Sequence, residues 1–282
     1  MRIEVKNLSH VYSPGLPYET KALDNVNFSC EPGEFVGLIG HTGSGKSTLL
    51  QHLNGLLKPT SGQVLADGKD INEKSDEAKA LRRRIGLVFQ YPEYQLFEET
   101  VIKDVCFGPK NQGLSEEECI ARAMKAIALV GLDPEEKKDV SPFMLSGGEK
   151  RRVAIAGVLA MEPEVLIPDE PTAGLDPKGR RDILQMIETI RKTRSLTIIL
   201  VSHNMDDVAS MASHVLVMDK GCLAMDGTPQ EVFSRGKELA AIGLSRPAAA
   251  EFAEMLVSRG IKLNTNVLTI EDVEKEIVKA LK

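Results

Sequence analysis

Short apolar runs alternate with longer amphipathic segments along most of this 282-residue chain. Continuous apolar runs of this length are typical of strands buried on both faces of a parallel sheet. These runs lie at residues 35–40, 83–90, 164–169, 196–202 and 214–218. Apolar residues at helical spacing mark the intervening segments 146–161, 178–194 and 204–212. Because strands that alternate with helices pair in parallel, the pattern predicts an α/β fold with a parallel, doubly wound sheet.

The first part of the chain follows a different pattern, in which strand-like segments are joined by short turns. Ile3, Val5 and then Leu8 mark the buried side of a half-exposed strand. Residues 22–40 give two strand-like runs around a Pro-Gly turn, and Asp67-Gly68 is the turn of a short hairpin. We therefore expect an antiparallel β subdomain beside the parallel sheet, which makes the whole a mixed sheet architecture.

Residues from about 91 to 160 predict a helical subdomain inserted into the α/β domain. Ser115 with Glu118 three residues later forms a capping box, and Gly131 ends the helix that follows. The predicted apolar face of this helix comprises Ile120, Met124, Ile127 and Val130.

The C-terminal segment 240–282 predicts a small helical extension, separate from a main domain at 1–239. Pro247 lies at one helix start and Gly260 just past its end. Thr269 is the expected N-cap of a second helix. Its predicted apolar face comprises Val273, Ile277 and Leu281.

Composition narrows the class of protein. Hydrophobic residues make up 42% and charged residues 27% of the chain, an ordinary globular balance. The net charge of −6 argues against a non-specific nucleic-acid binder, which needs a basic face. The four cysteines form no C-x-x-C pair, so we expect reduced thiols. The polar start and the short apolar runs predict a soluble protein with no secretory leader and no membrane-spanning helix.

The sharpest motif is GHTGSGKS, which fits the phosphate-loop pattern G-x-x-x-x-G-K-[ST]. Glycines let backbone N–H groups converge on phosphate oxygens, and the following helix adds its positive end. The alternative is a glycine turn with an exposed lysine, but the preceding buried strand and the following helix favour a phosphate loop. Lys46 would reach the β- and γ-phosphates, and Ser47 would ligate Mg²⁺. The predicted ATP-binding residues here are Gly40, His41, Thr42, Gly43, Ser44, Gly45, Lys46, Ser47 and Thr48.

A second acidic motif, EVLIPDE, ends the strand predicted at 164–169. Asp169 would hold Mg²⁺ through water, and Glu170 would polarise the attacking water. The alternative is that both acids only end a strand in solvent. Pro168 cannot donate to a strand ladder, so we expect a local defect in an otherwise working strand.

The order of these motifs, together with LSGGEKRR at 145–152, resembles the ATP-binding cassette (ABC) family of P-loop NTPases. The resemblance implies that the signature segment opens a helix whose free N–H groups face the γ-phosphate of ATP held by a partner subunit. A helix N-terminus suits that task. The N–H groups are those of Ser146, Gly147 and Gly148, and the whole set implied to act across the dimer is Ser146, Gly147, Gly148 and Glu149.

The same resemblance implies roles for four isolated residues. Gln90 would contact Mg²⁺ and water and sense a transmembrane partner, and Asp176 would lie in the loop that crosses the dimer interface. His203 would bond the γ-phosphate and support Glu170, and Tyr12 would stack on adenine. An isolated tyrosine can equally be packing. The catalytic set implied is Glu170, His203, Lys46 and Gln90, and the histidines expected to be structural are His10, His41, His52 and His214.

A finer resemblance, carried by residues 89–111 and 141–166, is to the ATPases of energy-coupling-factor (ECF) importers, in particular the second, A-prime type. It implies a peripheral protein on the cytoplasmic face of the membrane that uses ATP and Mg²⁺. The implied partners are a homologous ATPase, in a heterodimer although a homodimer is open, a transmembrane coupling protein, and a separate membrane component that captures a vitamin or transition-metal ion. No nucleic acid is expected. The C-terminal helices would strengthen the dimer.

Two departures, at Glu149 and Pro168, qualify the resemblance. Glu149 stands where many cassettes have glutamine, which puts a contact to the partner's ribose in doubt. Pro168 stands where the family usually has an apolar residue that can donate. A groove for the membrane partner would be built by residues 91–101, with Leu96, Phe97 and Val101 as apolar anchors or, alternatively, as ordinary core.

Other functions stay open on the sequence alone. The chain could serve another class of ABC transporter as a homodimer, or act as a soluble cassette protein on ribosomes or DNA. It could also bind ATP without hydrolysis as a regulatory subunit, against which Glu170 and His203 argue. The identity of the cargo is carried by another chain.

Overall fold

The computed structural model describes residues 1–280, in which a six-stranded and a four-stranded sheet are flanked by helices. The strands are β1 (Ile3–Tyr12), β2 (Thr20–Cys30), β3 (Phe35–Gly40), β4 (Ser61–Ala66), β5 (Lys69–Asp70), β6 (Ile85–Val88), β7 (Val165–Pro168), β8 (Thr197–Val201), β9 (His214–Asp219) and β10 (Cys222–Gly227). The helices are α1 (Lys46–Leu53), α2 (Asp76–Arg83), α3 (Val101–Asn111), α4 (Glu116–Leu129), α5 (Pro134–Lys137), α6 (Gly147–Leu159), α7 (Pro177–Arg194), α8 (Met205–Met211), α9 (Pro229–Ser234), α10 (Gly236–Ala241), α11 (Ala248–Ser258) and α12 (Ile270–Ala280).

The larger sheet has the order β10-β9-β3-β8-β7-β6, with β9, β3, β8, β7 and β6 parallel and β10 antiparallel at one edge. Its strands are buried on both faces. Ile199 and Val201 of β8 pack in one apolar cluster with β1 and α1, whereas Ile198 and Leu200 pack in another with α6 and α7. The predicted α/β fold with a parallel central sheet is confirmed.

The smaller sheet has the order β2-β1-β4-β5 and is antiparallel throughout. Asp67 and Gly68 join β4 to β5 with φ values of 48° and 80°, the left-handed geometry of a two-residue hairpin turn. The predicted antiparallel subdomain and its hairpin are therefore present.

The helical subdomain contains α3, α4 and α5, and α6 packs against it. Ser115 and Glu118 form the predicted capping box at the start of α4. The predicted apolar face was wrong at Ile120, which is 44% exposed. The helix is rotated so that smaller residues face α3 and α6, because alanine lets neighbouring helices approach closely. The buried positions of α4 are Cys119, Ala123, Ala126 and Ile127.

The C-terminal helices pack on the main domain beside α8. Leu239, Leu244 and Leu268 share an apolar cluster with Ile39 and Met205. The helices α11 and α12 also form a small cluster of their own, to which Ile277 contributes from its partly buried position. The side chain of Thr269 accepts a hydrogen bond from the Asp272 N–H, as expected of an N-cap. The predicted role of Leu281 lies outside the described residues, and the boundary at 239/240 stays a prediction.

Across residues 1–280, no helix combines the length and apolar character of a bilayer span.

Pro168 ends β7 in a gap of its ladder with β8. The ladder pairs Val165 with Thr197 and Leu166 with Ile198, and pairing resumes only at the bridge between Asp169 and Val201. The Glu170 N–H donates to the Val201 carbonyl at 3.1 Å, so two residues earlier the missing proline donor faces the Ile199 carbonyl. The strand nevertheless pairs with β6 through Val88, as the predicted local defect requires.

Replacement of Pro168 by leucine should stabilise the protein. A restored N–H can bond the Ile199 carbonyl, which is worth about 0.5–1.5 kcal/mol in the free energy of unfolding. Urea titration of the two proteins measures the difference, and Pro168→Val serves as a second variant of smaller volume. Lower stability of both variants would mean that the proline has a structural role of its own.

Candidate nucleotide site

The loop between β3 and α1 wraps around the amino group of Lys46. Lys46 Nζ donates to the carbonyl oxygens of Gly40 at 2.6 Å and His41 at 2.9 Å, and the residue is only 7% exposed. A Cβ on Gly40 would lie 2.4 Å from the Met218 carbonyl oxygen, and Gly45 has a φ of 104°, so both positions require glycine. Burial lowers the pKa of Lys46, while nearby Glu170 and Asp169 act in the opposite direction. The loop therefore presents a cation and free N–H groups at the start of α1.

Glu170 lies at the end of β7 between two side chains from other strands. Its Oε1 is 2.5 Å from His203 Nε2, and its Oε2 accepts a hydrogen bond from Gln90 Nε2 at 3.3 Å. Its φ is 48°, a left-handed conformation that is uncommon for a long side chain and needs support from its surroundings. The carboxylate is thus held in one place by partners that reach it from β6 and β8.

Asp169 is the acid with the most perturbed pKa in the site. Burial raises the pKa to about 6 from an ordinary 3.8, and the neighbouring charge of Glu170 adds to the rise, while Lys46 and His203 lower it. A carboxyl with a pKa shifted by burial and by a specific charged neighbour is frequent at functional sites.

The nucleotide-free protein should become more stable as the pH falls through 6 because of Asp169. Because the pKa of Asp169 is raised in the folded protein, its charged carboxylate lowers the free energy of unfolding above about pH 6. This cost disappears as the pH falls toward 3.8, the ordinary pKa of the group. We expect a gain of roughly 1–3 kcal/mol in the free energy of unfolding from this group. Urea titrations of wild type and Asp169→Asn at about pH 7 and pH 4.5, without Mg²⁺, measure the contribution of this carboxyl to the free energy of unfolding, since only the wild type carries it. A difference between the two proteins that does not change with pH would contradict this assignment.

These groups line one cleft of about 690 Å³, a size that suits a nucleotide. Tyr12 stands at its edge, 39% exposed, with its hydroxyl 3.2 Å from Thr48 Oγ1 and its ring edge-on to His10 at 4.5 Å. The predicted residues that line the cleft are Tyr12, Thr42, Gly43, Gly45, Lys46, Ser47, Thr48, Gln90, Asp169, Glu170 and His203.

Three residues of the predicted phosphate loop lie behind the cleft and do not line it. Gly40 supports the loop from β3, and His41 pairs with Asp219 at 2.9 Å. Ser44 is fully buried, and its hydroxyl finds no partner among residues 1–280. An orphaned buried hydroxyl beside converging N–H groups fits a loop that is completed by a bound phosphate.

Five further residues line the cleft that the sequence did not indicate: Thr20, Lys21, Ala22, Lys220 and Gly221. Lys220 and Gly221 form the turn between β9 and β10, with φ values of 46° and 82°. The Gly221 N–H donates to the Ser44 carbonyl at 2.9 Å, which attaches this turn to the phosphate loop. A Lys-Gly pair between two strands signals a turn, but its place at the cleft depends on the tertiary structure.

The signature residues do not join this cleft. Ser146 and Glu149 form a capping box at the start of α6, in which the Ser146 hydroxyl donates to Glu149 at 2.7 Å. The hydrogen bonds from Ser146 and an ion pair with Lys137 hold the pKa of Glu149 at about 2. Asp176 is the N-cap of α7, where its side chain accepts from the Gly179 N–H at 3.0 Å. Glu149 and Asp176 thus have local structural partners in addition to their predicted contacts across a dimer.

The cleft also offers a donor set that fits Mg²⁺. The Ser47 hydroxyl, the Gln90 amide and the Asp169 carboxylate all line it, and hard oxygen ligands with phosphate oxygens and waters are what Mg²⁺ prefers. Because Gln90 uses its amide nitrogen toward Glu170, the amide oxygen is left for a cation.

Comparisons with known proteins agree with this geometry. The model of the ABC transporter family matches residues 23–173. The energy-coupling factor transporter ATP-binding protein EcfA2 of Clostridium tetani is 56% identical over 99% of this chain and 97% of its own length. EcfA2 of Clostridium acetobutylicum is 55% identical over 100% and 98%.

Among solved structures, cbiO1 of Clostridium perfringens, described as part of the ABC transporter complex cbiONQ, is 42% identical with a TM-score of 0.74 over 85% of this chain and 93% of its own. The ATP-binding cassette MJ0796, solved as a dimer in a post-hydrolysis state with ADP and Pi, is 31% identical with a TM-score of 0.70 over 80% of this chain and 98% of its own. The resemblance inferred from residues 89–111 and 141–166 is confirmed, and the chain belongs to the ABC transporter ATPases, among the energy-coupling factor transporter ATP-binding proteins.

Proposed function

We propose that this chain is the ATP-hydrolysing subunit that energises uptake of a vitamin or a transition-metal ion through an ECF-type importer. The observation that carries the proposal is the convergence of Lys46, Asp169, Glu170, His203 and Gln90 on one cleft. Apart from the adjacent Asp169 and Glu170, these residues lie far apart in the sequence, so a purely structural role for each would not predict that they meet.

The geometry supports a separate role for each of these residues. Lys46 and the N–H groups of the loop bind the β- and γ-phosphates, and Tyr12 stacks on the adenine. Glu170 accepts a proton from the attacking water, while His203 orients its carboxylate and bonds the γ-phosphate. Ser47, Gln90 and, through water, Asp169 would hold Mg²⁺, which would supply charge neutralisation at the phosphates.

A dimer completes the site. The cleft lacks signature residues 146–149 among its described lining, and a helix N-terminus is a ready anion site for a nucleotide held elsewhere. We propose that these residues face ATP bound to a homologous ATPase subunit, in a heterodimer. Dimeric MJ0796 provides a precedent for two cassettes assembled as a pair.

The membrane partner would dock near the segment after Gln90. Of the predicted anchors, Leu96 and Val101 are core, at 7% and 0% exposure, because they pack in one apolar cluster with residues of α4 and α6. Phe97 is 56% exposed and packs edge-on against Phe107. Exposed apolar side chains in this part of the chain are Tyr91, Tyr94, Phe97, Phe107, Phe143 and Met144. Docking here places the protein at the cytoplasmic face of the membrane.

Co-expression of this chain with its partner ATPase and membrane subunits tests the proposal. Tagged chain is captured from detergent-solubilised membranes, the co-purifying chains and any bound small molecule are identified by mass spectrometry, and ATP turnover is measured in vesicles. We expect a second ATPase and membrane subunits, and turnover that depends on both. Capture of a homodimer on an unrelated permease would assign the chain to another class of ABC transporter.

A further inference from the structure

A buried arginine follows the signature residues by half a turn of α6. Arg151 is 2% exposed, and a guanidinium this deep is stable only with full hydrogen bonding. None of the roles described above uses this side chain.

Arg151 bonds two segments that belong to the nucleotide cleft. Its Nε and Nη2 donate to the two carboxylate oxygens of Glu93 at 3.0 and 2.7 Å. Its Nη1 donates to the carbonyl oxygens of Pro171 at 3.1 Å and Ala173 at 2.8 Å. Glu93 lies three residues after Gln90, and Pro171 directly follows Glu170. A planar five-donor group can serve both acceptor sets at once, which lysine cannot.

The two bonded segments each contain a strained residue. Tyr91, next to Gln90, has a φ of 54°, and Glu170 has a φ of 48°. A non-glycine residue in this region needs support from its surroundings. The bonds of Arg151 begin two residues after Tyr91 and one residue after Glu170, where such support is most effective.

The contact between Arg151 and Glu93 is a charged pair. Burial acts to raise the pKa of the Glu93 carboxyl, but the hydrogen bonds and charge of Arg151 outweigh it and hold the pKa below its ordinary value. The geometry is bidentate, the form in which an arginine fixes a carboxylate in both position and plane.

We propose that Arg151 is a positioning residue that couples the two nucleotide sites of the dimer. It fixes the segments of Gln90 and Glu170, which act on ATP bound to this chain, to the helix whose first turn faces the partner's ATP. A movement of α6 on dimer closure is thereby passed directly to the attacking base. The inference rests on the proposed function.

The test uses the complex of this chain with its partner ATPase and membrane subunits, with the variants Glu93→Gln, Arg151→Lys and both together. Each single variant should lower kcat at least about ten-fold, with the Kd for ATP within about three-fold of wild type, because neither Glu93 nor Arg151 lines the cleft itself. The kcat of the double variant should be within about two-fold of that of Arg151→Lys, since the arginine change already breaks the contact that Glu93→Gln removes.

Glu164→Gln is the matched control. It makes the same substitution in a second arginine pair, Glu164 with Arg84 at 2.6 Å, at the opposite ends of β6 and β7, and should keep the wild-type kcat. Wild-type kcat in both single variants would overturn the inference, as would parallel losses of kcat, ATP affinity and Tm, which indicate a merely structural role. Absence of ATP turnover by the wild-type complex would instead overturn the proposed function, and the inference with it.

Discussion

Replacement of Glu170 by glutamine is expected to abolish steady-state ATP turnover while nucleotide binding persists. Glutamine keeps the size of the side chain and can still bond His203, but it cannot take a proton from water. We expect kcat to fall by about 10²–10⁴-fold, the usual contribution of a positioned general base. Phosphate release by the assembled complex measures kcat, and equilibrium binding of a fluorescent ATP analogue measures affinity.

The control for this change is Glu164→Gln, since Glu164 precedes the same strand that Glu170 follows. It should retain wild-type turnover. Turnover by Glu170→Gln within about two-fold of wild type would exclude Glu170 as the base, because loss of a general base always has a larger effect. The wild-type histidine contact at 2.5 Å makes His203 the next residue to test in that case.

Replacement of Lys46 by alanine should remove nucleotide binding itself. Lys46 is the buried cation around which the phosphate loop closes, and a charge-assisted bond to phosphate is among the strongest available to a side chain. We expect ATP affinity to fall by about 10–100-fold, as loss of a charged hydrogen bond implies. Isothermal titration with ATP and Mg²⁺ measures it directly.

Lys69→Ala provides the matched lysine control, because Lys69 lies on the β4–β5 hairpin outside the cleft and pairs with Glu77 of α2. Its ATP affinity should equal that of wild type. Unchanged affinity in Lys46→Ala, in a protein with wild-type Tm, would show that the loop binds phosphate through its backbone alone.

Much of the fold follows from local pattern. The strand between residues 164 and 169 is recognisable from its apolar run, and the hairpin at Asp67-Gly68 from its turn residues, because both signals depend on neighbours in sequence. Capping at Ser115 and Ser146 acts over three residues and is equally local. The defect in strand pairing at Pro168 is also predictable, since proline has no N–H and removes one hydrogen bond of the ladder wherever the strand lies.

Apolar side chains were harder to assign. Ile120 was expected in the core and is exposed, while the sequence left Leu96 and Val101 open between groove anchors and ordinary core, and both are buried. Periodicity identifies a helix but not the rotation at which it packs. That rotation depends on the shapes of the neighbouring helices. In α4 two alanines are buried in the contact, while the larger Ile120 is exposed.

The sequence by itself determined the α/β class, the phosphate loop and the two acids, because each rests on a short-range pattern, and it also determined the order of the motifs along the chain. Only the tertiary structure decided that Glu170 lies between His203 and Gln90, and that the turn at Lys220 and Gly221 closes the cleft. It also decided that Arg151 bonds Glu93 across 58 residues. Such contacts arise from the packing of distant strands and helices, which no local pattern encodes.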